Sequence, residues 1–255
     1  MMLIDSHCHF DDARFDKDRD AAYQRAREAG VARQIVPAVT RDSWSRLKAV
    51  CLAYPGLYPA YGLHPMFLHQ HEDTHIEALD RQLAVEKAVA VGECGLDYTI
   101  DNPGKARQKA LFEAQLELAG KYGLPVIIHA RKAVEEVINC LRRFPGLRGV
   151  LHSYSGSEQQ AQRLIEMGFL MSFGGPVTYP RASRLQHLVS RLPLQAIMLE
   201  SDSPDQPDAE NRGGRNEPAL LGRVLNSIAN LRKESADEIA LQTTSNAKSL
   251  FGIEI

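Results

Sequence analysis

Short apolar runs alternate with longer stretches of helical periodicity from one end of the chain to the other. The apolar runs fall at residues 2–6, 34–36, 57–62, 88–92, 125–129, 149–151, 169–173 and 196–199. Each has the length of a strand, and runs such as Val126-Ile127-Ile128 are continuously apolar rather than alternating with polar residues. Between them apolar residues recur at three- and four-residue spacing, as Trp44, Leu47, Val50 and Cys51 do, which predicts amphipathic helices. These helices are expected over 16–29, 41–54, 75–83, 105–122, 134–144, 159–167 and 182–191, with two more, 217–230 and 236–251, after the last strand. Gly30 and Gly123 stand where a helix ends in a left-handed turn, and Pro55-Gly56 closes another.

Continuously apolar strands suit a parallel sheet buried on both faces. Eight strand–helix units in 255 residues predict an α/β fold of the (β/α)8 TIM type, one domain over residues 1–255. An open doubly wound sheet is the alternative, but the chain has no Gly-x-Gly-x-x-Gly to support its dinucleotide-binding version.

Side chains that bind metal stand just beyond the apolar part of strand after strand. His7 and His9 follow the first, His64 the third, Glu93 the fourth, His129 the fifth, His152 the sixth and Asp202 the eighth. In extended chain His7 and His9 point the same way, about 6–7 Å apart, and Cys8 points the other way. The C-terminal ends of barrel strands converge on one mouth, so these residues are expected to meet there. His7, His9, Glu93, His129, His152 and Asp202 are too many ligands for one tetrahedral ion. They suit two ions bridged by a carboxylate and a water. Glu93, midway round the barrel, is the expected bridge, with His7, His9 and Asp202 on one side and His129 and His152 on the other. A nitrogen-rich set with carboxylates favours Zn, Mn, Ni or Fe over Ca, and Mg can serve where substrate phosphates complete its sphere.

Composition acts mainly by exclusion. Thirty basic against 32 acidic residues leave no long electrostatic footprint for duplex DNA, although a few phosphates can still be gripped. Cys8, Cys51, Cys94 and Cys140 are scattered with no Cys-x-x-Cys, and are read as reduced thiols of a cytoplasmic protein. No secretory leader pattern opens the chain, and no apolar run approaches the ~20 residues of a membrane span, so no membrane partner is expected. His69, His71 and His75, beside Glu72 and Asp73, are read as a solvated loop or helix start rather than a second metal site. Arg212-Gly213-Gly214-Arg215 is either a phosphate-facing loop or a flexible surface loop.

Taken in order, Asp-Ser-His-Cys-His at 5–9, Gly-Leu-His-Pro at 62–65, Gly-Glu-Cys-Gly-Leu-Asp-Tyr at 92–98, Pro-Val-Ile-Ile-His-Ala-Arg at 125–131, His-Ser-Tyr-Ser-Gly-Ser at 152–157 and Glu-Ser-Asp-Ser-Pro at 200–204 resemble the TatD family of metal-dependent deoxyribonucleases. Arg-Asn-Glu-Pro at 215–218 and Asn-Ala-Lys-Ser-Leu-Phe-Gly at 246–252 are similar to it as well, so the resemblance covers the whole chain. It implies an amidohydrolase-like barrel, two divalent metal ions (Zn, Mn, Ni or Mg) and phosphodiester hydrolysis, with the same six metal ligands. The chain departs from the family at Lys132, where an acid is frequent, and at Ser153-Tyr154, which replaces a common Cys-Phe pair. Both bear on specificity.

The expected activity is exonucleolytic hydrolysis of DNA, single-stranded or at ends, or of a small phosphoester, by a monomer that uses a metal-activated water. Asp202 is the expected proton acceptor, and Glu200, on the same strand face, is a second candidate base or an orienter of a ligand. His64 and Arg131 are expected to bind phosphate as donors. Tyr98 is either a base-stacking platform or a loop anchor, and Asp97 is read as structural. Cys8 and Cys94 are expected to pack against the helices. A hydrolase of a small amide, ester or lactone on the same barrel is the competing function. A non-catalytic metal-binding protein is a third, disfavoured because it has no need of an open two-ion site.

Overall fold

Eight parallel strands succeed one another in chain order and form the single sheet of a barrel in the computed structural model, which describes residues 2–99 and 104–254. The strands are β1 (Leu3–Asp5), β2 (Val31–Pro37), β3 (Leu57–Tyr61), β4 (Ala90–Asp97), β5 (Val126–Arg131), β6 (Gly149–Leu151), β7 (Phe169–Phe173) and β8 (Ile197–Leu199). The helices between and after them are α1 (Arg19–Glu28), α2 (Trp44–Ala53), α3 (Thr74–Val85), α4 (Lys105–Tyr122), α5 (Val134–Leu141), α6 (Glu158–Glu166), α7 (Ser183–Arg191), α8 (Leu221–Ala229) and α9 (Ala236–Phe251). No helix among the described residues is long and apolar enough to cross a membrane.

The seam between β8 and β1 is closed just past the strand ends. Ser6 N–H donates to Leu199 O at 2.9 Å, Asp202 N–H to His7 O at 2.9 Å and His9 N–H to Ser203 O at 2.7 Å. Beneath them the buried Asp5 carboxylate accepts from Ser201 N–H and Ser201 Oγ at 2.9 and 2.6 Å. These bonds set Asp202 beside His7 and His9.

Side chains divide between two layers. Ile4, Ile35, Ala60, Ala90, Ile127, Val150 and Met198 fill the barrel interior near the strand starts, where Leu250 and Phe251 of α9 pack on them. Leu3, Val36, Val91, Cys94 and Ile128 belong to the larger cluster that the outer helices cover. Cys8 and Cys94 are fully buried there, as the alternation of side chains predicts.

β4 and β5 run further than the apolar pattern predicts, through Asp97 and Arg131. Backbone pairing is indifferent to side-chain polarity, and Gly95, Leu96 and Asp97 pair with His129, Ala130 and Arg131. Between Val91 and Cys94 the β4 register slips, so the alternation that sends Ala90 inward would otherwise have turned Glu93 outward. Gly95 has φ +132°, and a Cβ there would collide with the carbonyl oxygen of His129. Glycine is what lets β4 and β5 close up at that level. α1 begins later than predicted because residues 16–18 form a turn after the 3-10 turn Ala13–Phe15, and α8 because the 3-10 turn Pro218–Leu220 takes up the preceding chain.

Candidate metal centre

Glu93 is the hub of the mouth. Its peptide N–H is held by Ala38 O, and the carboxylate is almost wholly buried. Oε2 lies 3.2 Å from His7 Nε2 and 3.5 Å from His9 Nε2. Oε1 lies 2.8 Å from His64 Nε2, 3.2 Å from His129 Nδ1 and 2.8 Å from His152 Nε2. Asp202 Oδ1 completes the first side, 3.5 Å from His7 Nε2 and 3.6 Å from His9 Nε2. A cavity of about 950 Å³ opens over the cluster, lined by His9, His64, Glu93, His129, His152, Asp202 and Arg131 among others. His7 sits beneath, its ring stacked on His152 with centroids 4.0 Å apart.

Where the far nitrogen of an imidazole has a hydrogen-bond partner, that partner assigns the tautomer, and with it what the near nitrogen can do. His9 Nδ1 faces Pro37 O at 3.3 Å, and His129 Nε2 faces Asp97 Oδ2 at 2.9 Å. His152 Nδ1 lies 3.8 Å from Glu200 Oε1, an ion-pair rather than a hydrogen-bond distance. For His9 and His129 the neighbour accepts, so the far nitrogen carries a proton and the near one is the nitrogen that could be given to a cation. His7 Nε2 and His9 Nε2 are 3.3 Å apart, and His129 Nδ1 and His152 Nε2 are 3.1 Å apart. Ring nitrogens this close to one another and to the Glu93 carboxylate can share a cation. Two trios that share His7, His7/Glu93/His152 and His7/His9/Asp202, each bring ligand atoms within 4.8 Å of one another, and His129 Nδ1 lies 3.2 Å from Glu93 Oε1. The donor set therefore fits divalent metal.

His64 differs. Its Nδ1 accepts the Met66 N–H at 3.1 Å, so Nε2 carries the proton and presents an N–H to the mouth. Burial pushes this imidazole down to about 4, despite Glu93 beside it, so it is neutral at pH 7. Burial also opposes ionisation of Glu93, but His64, His152 and His7 outweigh it and hold the carboxyl well below the usual range. For Asp202 burial prevails and raises the pKa, with His7, His152 and His9 working against it.

A family model described as TatD related DNase matches residues 4–252. The chain belongs to the TatD family. It is 43% identical over 254 residues to the uncharacterised metal-dependent hydrolase YjjV of Escherichia coli (strain K12), with 98% of each chain covered. The crystal structure of that TatD homologue superposes with a TM-score of 0.95 at 42% identity, covering 99% of this chain and 98% of the other. A protein named 3'-5' ssDNA/RNA exonuclease TatD, from Klebsiella pneumoniae (strain 342), is 30% identical over 264 residues, 99% of each chain. The protein is thus a metal-dependent hydrolase of the TatD family with a TIM-type barrel.

The TatD barrel brings His7, His9, Glu93, His129, His152 and Asp202, the six residues expected to meet at the mouth, into one cluster. Arg131 is exposed on the cavity wall, and its guanidinium has no partner among the described residues. Glu200 is fully buried behind His152, does not line the cavity, and accepts from Ser153 N–H at 2.7 Å and from Ser172 Oγ. Its Oε1 lies 3.8 Å from His152 Nδ1, on the side of that ring away from the cavity. Asp97, read as structural, faces the His129 imidazole, with Oδ2 2.9 Å from Nε2. The signal was available, because residues 93 and 97 share a strand face. His71 is buried, not solvated, since its Nε2–H donates to His64 O at 2.9 Å, and His75 is buried in α3. Tyr98 lies under the Lys105 ammonium, 4.6 Å from the ring centroid, and does not line the cavity. Arg215 is tied to Asp18 at 2.6 Å and Glu217 at 2.7 Å, so that loop end is a clasp rather than a phosphate grip.

Proposed function

We propose that this TatD protein is a deoxyribonuclease that removes nucleotides from the ends of single-stranded DNA with two divalent ions held across Glu93. The division of the two Glu93 oxygens between two histidine groups carries this reading. His7, His9 and Asp202 would hold one ion and His129 and His152 the other, with Glu93 common to both. Divalent ions there supply Lewis acidity, making hydroxide available near neutral pH and offsetting charge on a phosphate. Asp202 takes the proton of the attacking water. The His64 Nε2–H, a neutral donor, turns from Glu93 to a nonbridging phosphate oxygen. Arg131 holds an adjoining phosphate from the rim.

The preference for ends rests on the charge of the rim. Arg14 is spent on Asp12 and Asp205, at 2.9 and 2.7 Å, and Arg46 on Asp16. Such a rim grips a few phosphates, not a long duplex. The same reading takes the protein as a cytoplasmic monomer, in keeping with four free thiols.

Chelator-stripped protein assayed on 3′- and 5′-labelled single-stranded DNA, with Mg, Mn, Ni and Zn restored separately, tests this. Metal-restored cleavage that is absent from Glu93→Ala and Asp202→Ala is the expected result, and the label pattern gives the polarity. Bound metal with no cleavage of DNA, alongside turnover of small esters, lactones or amides, would transfer the site to that substrate class.

A further inference from the structure

Among the described residues four that are not glycine have positive φ: Lys132, Ser153, Asp202 and Gln206. All lie at the barrel mouth, and three of them are joined side chain to side chain. The Gln206 amide contacts Asp202 Oδ2, and Ser153 Oγ lies 2.9 Å from Gln206 Oε1. An ionised carboxylate only accepts, so the amide nitrogen faces Asp202 and donates. Oε1 then faces Ser153, whose hydroxyl must donate in turn. Ser153 N–H donates to Glu200 Oε1, and Glu200 faces His152 Nδ1. One chain of contacts thus runs from Asp202, past β8, to His152, past β6.

We propose that Gln206, with Ser153 behind it, is a positioning residue for Asp202: it pins Oδ2 so that Oδ1 alone faces the metal centre. The inference rests on the metal reading of the cluster and adds a device to it. A left-handed backbone at three residues with side chains is tolerated where surrounding structure demands it. The Gln206 backbone is held without help from its own side chain. Asn216 Nδ2 donates to Gln206 O at 3.3 Å and to Asp205 O at 2.9 Å. Gly175 packs so closely that a Cβ there would collide with Gln206 O. The loop therefore keeps its course when the amide is removed, and Asp202 Oδ2 is left free to swing.

The test is Mn²⁺ affinity by titration calorimetry on chelator-stripped wild type, Gln206→Met, Gln206→Gly, Ser153→Ala and the Gln206→Met/Ser153→Ala double variant. Both Gln206 variants are expected to bind about 10–100-fold more weakly, the usual effect of removing a group that orients a ligand. Apo Gln206→Gly should melt no lower than wild type, because glycine accepts φ +47° without strain. Ser153→Ala should lose less, and the double variant no more than Gln206→Met, because Ser153 acts through Gln206. On bis(4-nitrophenyl) phosphate at saturating metal, kcat should fall with KM little changed. Wild-type affinity in Gln206→Gly overturns the proposal, and fully additive losses overturn the chain through Ser153. Wild type that takes up no metal overturns the metal reading and this proposal together. Metal uptake without phosphodiesterase activity overturns only the nuclease reading, and the affinities still decide this one.

Discussion

Asp97 Oδ2 sits 2.9 Å from His129 Nε2, while Asp97 Oδ1 accepts from Thr99 N–H at 2.8 Å and Thr99 Oγ at 2.6 Å. Burial opposes the charge on Asp97, but these bonds outweigh it and hold the carboxyl below its ordinary range. The carboxylate fixes the His129 proton on Nε2 and leaves Nδ1 as a lone pair toward Glu93. Asp97→Ala should weaken metal binding by about 10–100-fold. Asp97→Asn should be nearly as damaging: its one oxygen stays with the two Thr99 donors, and its amide nitrogen then faces His129 and forces the opposite tautomer. Calorimetric affinity, with ¹⁵N chemical shifts to read the His129 tautomer, checks both. Wild-type affinity in Asp97→Asn would show that the tautomer is set elsewhere.

His64 should separate chemistry from metal binding. Because Met66 N–H occupies Nδ1, Nε2 offers a proton and no lone pair. His64→Ala should keep metal affinity within about threefold of wild type while kcat on phosphodiesters falls about 10²–10³-fold, the scale of losing one donor to developing charge. Glu93→Ala should instead lose the metal. If metal affinity falls as far in His64→Ala as in Glu93→Ala, His64 is a ligand and the donor assignment is wrong.

The barrel was legible because hydrophobic period and strand order are local properties of the chain. The cluster was legible because ligand types recur at the strand ends, and a barrel brings those ends to one place. Harder to read was anything that depends on which nitrogen of a ring faces which neighbour. His64 and His129 look alike in sequence; a peptide N–H on one and a carboxylate on the other divide their roles. Glu200 and Asp202 are two residues apart, yet one is walled in behind His152 while the other lines the cavity. Gln206 gave no signal, because its contact with Asp202 depends on the left-handed turns of the β8 loop. His71 lies in a polar stretch, which points to solvent; the bond that engages it, to the His64 carbonyl, is tertiary.

Gly95 ties the fold to the site. Its φ of +132° and the His129 carbonyl beneath it leave no room for a Cβ. Gly95→Ala should cost about 1–3 kcal/mol from backbone strain alone, with a fall in Tm of roughly 2–4 °C per kcal/mol for a chain of this size. β5 should be pushed away at His129, so metal affinity should fall as well. Thermal unfolding in chelator, followed by metal titration, measures the two effects separately. A variant of unchanged Tm would mean that β4 and β5 can part at this level without loss.

His71 should give the chelated protein part of its acid sensitivity. Its imidazole is buried, Nε2–H is committed to the His64 carbonyl, and Nδ1 has no hydrogen-bond partner among the described residues. Burial lowers its pKa from the ordinary 6.5. Below pH 6.5 the unfolded chain therefore takes up a proton that the folded protein resists, and stability falls as pH drops through that value toward the folded pKa. Well above 6.5 the imidazole is neutral in both states and contributes no pH dependence. His71→Gln retains an N–H for the His64 carbonyl and removes the titration. Between about pH 7.5 and 5.5 the wild type should lose more unfolding free energy than His71→Gln. At about pH 7.5 and above the two curves should run parallel. Urea unfolding in chelator across that range decides the point: parallel curves throughout would mean that His71 protonates as readily folded as unfolded, so that its buried Nδ1 must reach solvent.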